Sequence, residues 1–139
     1  TCGNVGCVEA EASTWALPGV CRSWPGFEGS ALAAAPRLDF ETLFAAAGEG
    51  DAVAVEVRDR CLGLWAAGVV SMIHAWDPER VVLGGGVMGN GDAVLPFVQD
   101  HVRRHAWTPW GEVDVRAAEL GDRAALLGAV PLLAGGAGG

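Results

Sequence analysis

The chain has 139 residues, half of them apolar, with a net charge of −8 and no lysine. One domain with a packed core is within reach of that length and composition. The nine basic residues are all arginine and scattered, which argues against nucleic acid and against an anionic membrane as partners of this segment. The missing lysine also excludes a Walker-type phosphate loop. The longest apolar stretch, Cys61 to Trp76, is too short and too interrupted for a membrane span. Four irregularly spaced cysteines do not make a secreted disulfide scaffold, and the expectation is a reducing, cytoplasmic setting. No signal peptide is visible, and the opening Thr1-Cys2-Gly3, without a methionine, is expected to mark a fragment or a processed or incomplete sequence.

From Cys7 to Leu17 the residues suit a helix, with Val8, Ala12, Trp15 and Ala16 on one side and Pro18 expected to stop it. Residues 18–37 are rich in proline and glycine and read as an irregular connection, with a short helix at Ser30 to Ala35. Asp39 is placed to cap a brief helix over Phe40 to Ala47, which Gly48 ends.

Asp51 is placed to cap a helix reaching about Ala75, which at 1.5 Å per residue spans about 37 Å. Its first half sets Val53, Val57 and Leu64 against Glu56, Asp59 and Arg60. Its second half, Leu64 to Trp76, is apolar nearly all round and is expected between layers, with His74 a core histidine.

Asp77-Pro78 ends that helix, because a proline disfavours helical backbone at the residue before it. Val81-Val82-Leu83 then reads as a strand buried on both faces. Gly84, Gly85 and Gly86 follow and remove all side chains from the backbone there. The carboxyl end of a strand is where open α/β sheets bind ligands, so the glycines suit a close approach by a phosphorylated one. A flexible strand-to-helix turn fits them equally well.

Asp92 is expected to cap a helix to about Ala106, with Pro96 in its first turn. Glu112 to Ala117 alternates, Val113, Val115 and Ala117 inward, as a half-buried strand does. Asp122 is placed to cap a last helix, Arg123 to Ala134, and residues 135–139 read as a disordered tail. Helices around two strands indicate an α/β chain whose sheet is incomplete, because two strands alone do not make a stable one.

Cys2 and Cys7 flank a tight Gly3-Asn4-Val5-Gly6 loop. Two thiolates so placed could hold two corners of a tetrahedral zinc site, and two ordinary small buried residues would read the same way. Cys21 and Cys61 are expected in the core or a loop. His101 and His105 share a helix face, but the gap from the cysteine pair is far too long for a zinc finger. The six tryptophans, Trp107 and Trp110 among them, are expected in the core rather than at an interface.

Taken together, three segments resemble the ROK family (repressor, open reading frame, kinase). Thr1-Cys-Gly-Asn-Val-Gly-Cys-Val-Glu9 is similar to its zinc motif, Cys-x-Cys-Gly-x-x-Gly-Cys-x-Glu. Asp77 to Val87 is similar to its Asp-Pro-x-x-Val-Val-Leu-Gly-Gly-Gly-Val segment, and Leu120 to Ala129 to its last helix. They occur in the family's order over nearly the whole chain. The resemblance implies the C-terminal part of an actin-like, ribonuclease-H-like sugar kinase, residues 1–134 forming the lobe, and a homodimer of the full-length protein. It implies that Cys2 and Cys7 bind a structural zinc ion, that Glu9 accepts hydrogen bonds from sugar hydroxyls, and that Gly84, Gly85 and Gly86 lie against ATP. The implied reaction is phosphorylation of a hexose with ATP and Mg2+. The family's first zinc cysteine, its histidine ligand, its Asp-Gly-Gly-Thr segment and its aspartate base have no counterpart in these residues. The chain alone is therefore expected to be inactive. A sugar-responsive repressor of the same family is the alternative reading.

Overall fold

The computed structural model describes residues 6–123 and 126–130. Two short helices open it, α1 (Val8–Ala12) and α2 (Leu17–Ser23), followed by 3-10 turns at Phe27–Gly29 and Ala31–Ala34. Helices α3 (Phe40–Gly48) and α4 (Ala52–Trp76) come next, then strand β1 (Arg80–Leu83), a 3-10 turn at Gly86–Asn90, helix α5 (Gly91–His105) and strand β2 (Asp114–Ala117). Residues 126–130 are helical. The expected disordered tail lies outside the described residues. Among those described, no helix is long and apolar enough to cross a membrane.

Two aspartates define the starts of the main helices. Asp39 accepts from the Thr42 N–H and Asp51 from the Ala54 N–H, each at 2.8 Å, which meets one of the unpaired N–H groups at each helix end. Asp51 also accepts from the Ser30 hydroxyl and the Ala31 N–H, so one carboxylate ties the 3-10 turn to α4. These hydrogen bonds hold the carboxyl groups of Asp39 and Asp51 below their ordinary pKa.

Helix α4 is the shared wall of two apolar clusters. Toward its N-terminal half, Leu17, Leu32 and Leu43 pack on Val57 and Cys61, all of them 1% exposed or less. Burial raises the Cys61 thiol to about 11 and also raises Cys21, so both stay protonated core side chains. Toward its other half, Ile73 packs with Val98 and Val102 of α5 and Val115 of β2. β1 and β2 are parallel, Val81 opposite Val115, with α5 as the crossover that parallel strands require.

Several expectations are corrected. Pro18 does not end a helix but lies in the first turn of α2, where its missing N–H costs nothing. The break falls earlier, at Ser13, whose backbone is extended. Pro96 is inside α5, past the first turn. The second half of α4 is not enclosed, since Met72 is 54% and Trp76 69% exposed. Val82 is also exposed, so β1 is covered on one face only. His74 is a surface residue whose Nε2 accepts the Trp107 N–H at 3.1 Å. Trp15, Trp76, Trp107 and Trp110 are all more than half exposed. Ala117 is exposed too, and the side chain of Asp122 lies outside the description. The exposed apolar side chains of α4 and β1 share one face, bounding a hollow of about 670 Å3 among Met72, Trp76 and Val82. No other described layer covers that face.

Candidate active site

Gly6, at φ +76°, turns the chain into α1, and the Cys7 carbonyl accepts the N–H groups of Ala10 and Glu11. A five-residue helix has too few internal hydrogen bonds to stand alone. α4 holds it in place: the Trp65 Nε1–H donates to the Ala12 carbonyl at 2.9 Å, and Arg60 forms an ion pair with Glu11. Glu9 is left on the outer side of α1, exposed. Its Oε1 accepts the Trp15 Nε1–H at 2.7 Å. Cys7 is half-buried beside this turn. Cys2 lies outside the described residues, and those residues contain no cluster of three or more His, Cys, Asp or Glu side chains suited to a metal ion. Cys7 therefore supplies at most one ligand of a zinc site, and the described residues do not complete it.

The second part of the site is the bend after β1. The Ala118 N–H donates to the Leu83 carbonyl at 2.7 Å, carrying the strand pairing one step past β2. This brings Ala118 so close that a Cβ on Gly84 would lie 3.3 Å from that of Ala118. Gly85 has φ +91° and ψ 177°, backbone space that is essentially restricted to glycine. Gly86 opens the 3-10 turn leading into α5, and neither Gly85 nor Gly86 has a neighbour within 4 Å of where a Cβ would stand. The main chain is thus bare on its outer side, a cradle that suits a flat or phosphorylated ligand and that side chains would fill.

Three hollows run in series between the two parts. One of about 460 Å3 lies between Gly85, Gly86, Gly89 and the facing Ala118 and Gly121. The next, about 450 Å3, shares Gly86 and Gly89 with it and is bounded opposite by Thr14, Arg37 and Asp39. The third, about 520 Å3, shares Thr14, Phe40 and Val87 with the second and ends at Glu9 and Trp15. Glu9 and the glycine bend, 75 positions apart in the chain, are therefore two ends of one surface groove.

Sequence reasoning did not find Thr14, Arg37 or Trp15 as groove residues, and it read Asp39 only as a helix cap. Asp39 is both: one oxygen caps α3 and the other accepts the Arg37 Nε–H at 2.6 Å. No local pattern marks such residues, because only the folded chain brings Thr14, Arg37 and Asp39 to the hollow of Gly86 and Gly89, and Trp15 to that of Glu9.

The sequence model of the ROK family matches residues 1–135. A glucokinase of Thermotoga maritima is 33% identical over 138 residues, covering 95% of this chain and 44% of that protein. A glucokinase of Halalkalibacterium halodurans is 28% identical, covering 91% of this chain and 40% of its own length. The chain thus spans less than half the length of these curated relatives. Among solved structures, a ROK family glucokinase from Streptomyces griseus in complex with glucose and AMPPNP superposes with a TM-score of 0.71 at 29% identity, over 94% of this chain and 45% of that one. A ROK family transcriptional regulator, homolog of the E. coli MLC protein, superposes with a TM-score of 0.63 at 26% identity, over 84% of this chain and 29% of that one. The helix-rich architecture with its small parallel sheet is that of the actin-like ROK sugar-kinase structures. The chain belongs to the ROK family.

Proposed function

We propose that this chain forms the C-terminal, sugar- and nucleotide-facing part of an ATP-dependent hexose kinase. The observation that carries the reading is the groove joining the Glu9 carboxylate to the bare backbone at Gly85 and Gly86, which Gly84 leads into. A carboxylate accepts hydrogen bonds from neighbouring sugar hydroxyls, and the glycine bend admits a nucleotide against the main chain. When bound, ATP supplies the phosphoryl group and Mg2+ offsets its charge. Glu9 orients the hexose and the bend seats the nucleotide, so that the two reactants lie along one path. Cys2 and Cys7 would hold two corners of a structural zinc site, and the ion would stiffen the glycine-rich turn before Glu9. The assembled protein is a cytoplasmic homodimer.

The test is hexose-dependent formation of ADP by the intact protein, with glucose and N-acetylhexosamines as substrates. Turnover with any of them supports the reading, and an intact protein that binds neither hexose nor AMPPNP ends it. Residues 1–139 by themselves show no turnover, because no aspartate base matching the family's motif occurs in them.

The similarity to a transcriptional regulator supports a second reading, a sugar-binding lobe of a repressor. The intact glycine run favours the kinase, since a repressor has no need of a bare nucleotide seat. Nucleotide binding separates the two: a repressor binds hexose but not AMPPNP.

A further inference from the structure

We propose that Trp15 is a positioning residue for the Glu9 carboxylate, and that the helix break at Ser13 exists in this chain to deliver it. The proposal rests on the reading of Glu9 as the hexose-binding acid. On a continuous helix, a residue six positions on lies about 9 Å further along the axis and about 120° round from the first. Trp15 could not then reach Glu9. Here α1 stops at Ala12, Ser13 takes an extended backbone (φ −95°, ψ 165°), and the chain re-enters a helix at Leu17. The Ser13 hydroxyl accepts the Ala16 N–H at 3.3 Å and its carbonyl accepts the Leu17 N–H at 3.0 Å, which stabilises the break. Trp15 is thereby folded back so that its indole N–H donates to Glu9 Oε1.

The consequence lies in the carboxylate's geometry. An exposed glutamate samples many rotamers, and immobilising one costs free energy at the moment a ligand binds. The charge-assisted bond from the indole holds Oε1 before any ligand arrives. Among the described residues Oε2 has no hydrogen-bond partner, and Glu9 lines the third hollow. The indole is 58% exposed and lines the same hollow, where it presents an apolar face and a polar edge together. That combination suits a hexose, whose ring C–H groups are apolar and whose rim is hydroxylated.

The experiment is a double-mutant cycle on the intact protein, by calorimetry with glucose and with AMPPNP as probes. Trp15→Phe keeps the aromatic face and loses only the donor. It weakens glucose about tenfold and leaves AMPPNP unchanged. Combined with Glu9→Ala, which removes the acceptor of the indole N–H, it is no worse than Glu9→Ala alone, because Trp15 acts through Glu9. In the wild-type protein, the indole N–H resonance that Trp15→Phe removes shifts on addition of glucose, a readout that does not depend on the variant's stability. Unchanged glucose affinity in Trp15→Phe, additive losses in the double variant, or an indole resonance indifferent to glucose each overturn the proposal while the kinase reading stands. Wild-type protein that binds no hexose overturns both.

Discussion

The indole N–H of Trp65, midway along α4, donates to the backbone carbonyl of Ala12 at the last turn of α1, 53 residues earlier. Ala12 is 3% exposed, so this carbonyl has little access to water and depends on the indole. The Trp65 ring also meets Phe40 edge-on, with centroids 4.9 Å apart. One side chain thus joins the turn that carries Glu9 to the α3–α4 core.

Trp65→Phe keeps the aromatic packing and removes the donor. It lowers stability by about 1 kcal/mol, the cost of an unmet part-buried acceptor. Denaturant unfolding measures that loss. Hydrogen exchange of residues 8–12 accelerates more than that of α4, and uniform acceleration would argue against a local tether.

The glycines of the bend separate by what each one needs. Gly85→Ala forces a side chain into backbone space at φ +91° and destabilises the protein by about 1–3 kcal/mol. Gly86→Ala meets nothing within 4 Å and has no left-handed φ, so stability stays within about 0.5 kcal/mol. In the intact protein, Gly86→Ala nonetheless weakens AMPPNP and spares glucose. Equal affinity of Gly86→Ala and wild type for AMPPNP would show that the nucleotide does not lie on this bend.

Asp51 carries an acid-sensitive contribution to stability. Its folded pKa lies below the ordinary 3.8, chiefly through the N–H groups of Ala54 and Ala31. A depressed carboxylate stabilises the fold fully above its unfolded pKa and loses that contribution as pH falls through the folded value. Asp51→Asn therefore costs stability at pH 7 and flattens the acid limb below about pH 4. Asp51→Ala removes the cap as well, for a loss of about 1 kcal/mol or more at neutral pH. Identical acid limbs for wild type and Asp51→Asn would remove Asp51 as the source.

Zinc is tested by content before activity. The intact protein carries one equivalent of zinc by elemental analysis, and Cys7→Ser lowers it. Strong chelators are then expected to weaken glucose binding and leave AMPPNP alone, since the proposed zinc would act on the turn before Glu9 and not on the glycine bend. Purified wild type without zinc that binds glucose normally would remove the metal from the proposal.

Local chemistry made much of this fold legible in the residues themselves. Asp39 and Asp51 announce their helices because a carboxylate before a helical run answers unpaired N–H groups, whatever surrounds it. The break at Asp77-Pro78 and the strand running into three glycines follow from backbone sterics of the same short range. Burial was less legible: β1 and the second half of α4 are apolar enough for a double-sided core, yet no described layer covers the face of Val82, Met72 and Trp76.

What the amino-acid sequence determined alone was the set of helices and strands near these punctuating residues, together with the family motifs around Glu9 and the glycines. Only the tertiary structure decided that Pro18 begins a helix, that Trp15 turns back onto Glu9, and that Thr14, Arg37 and Asp39 stand between the two ends of the groove. The reason is range. Caps, prolines and glycines act across three or four residues, whereas a groove is formed by side chains dozens of positions apart, whose meeting depends on how α3 and α4 pack.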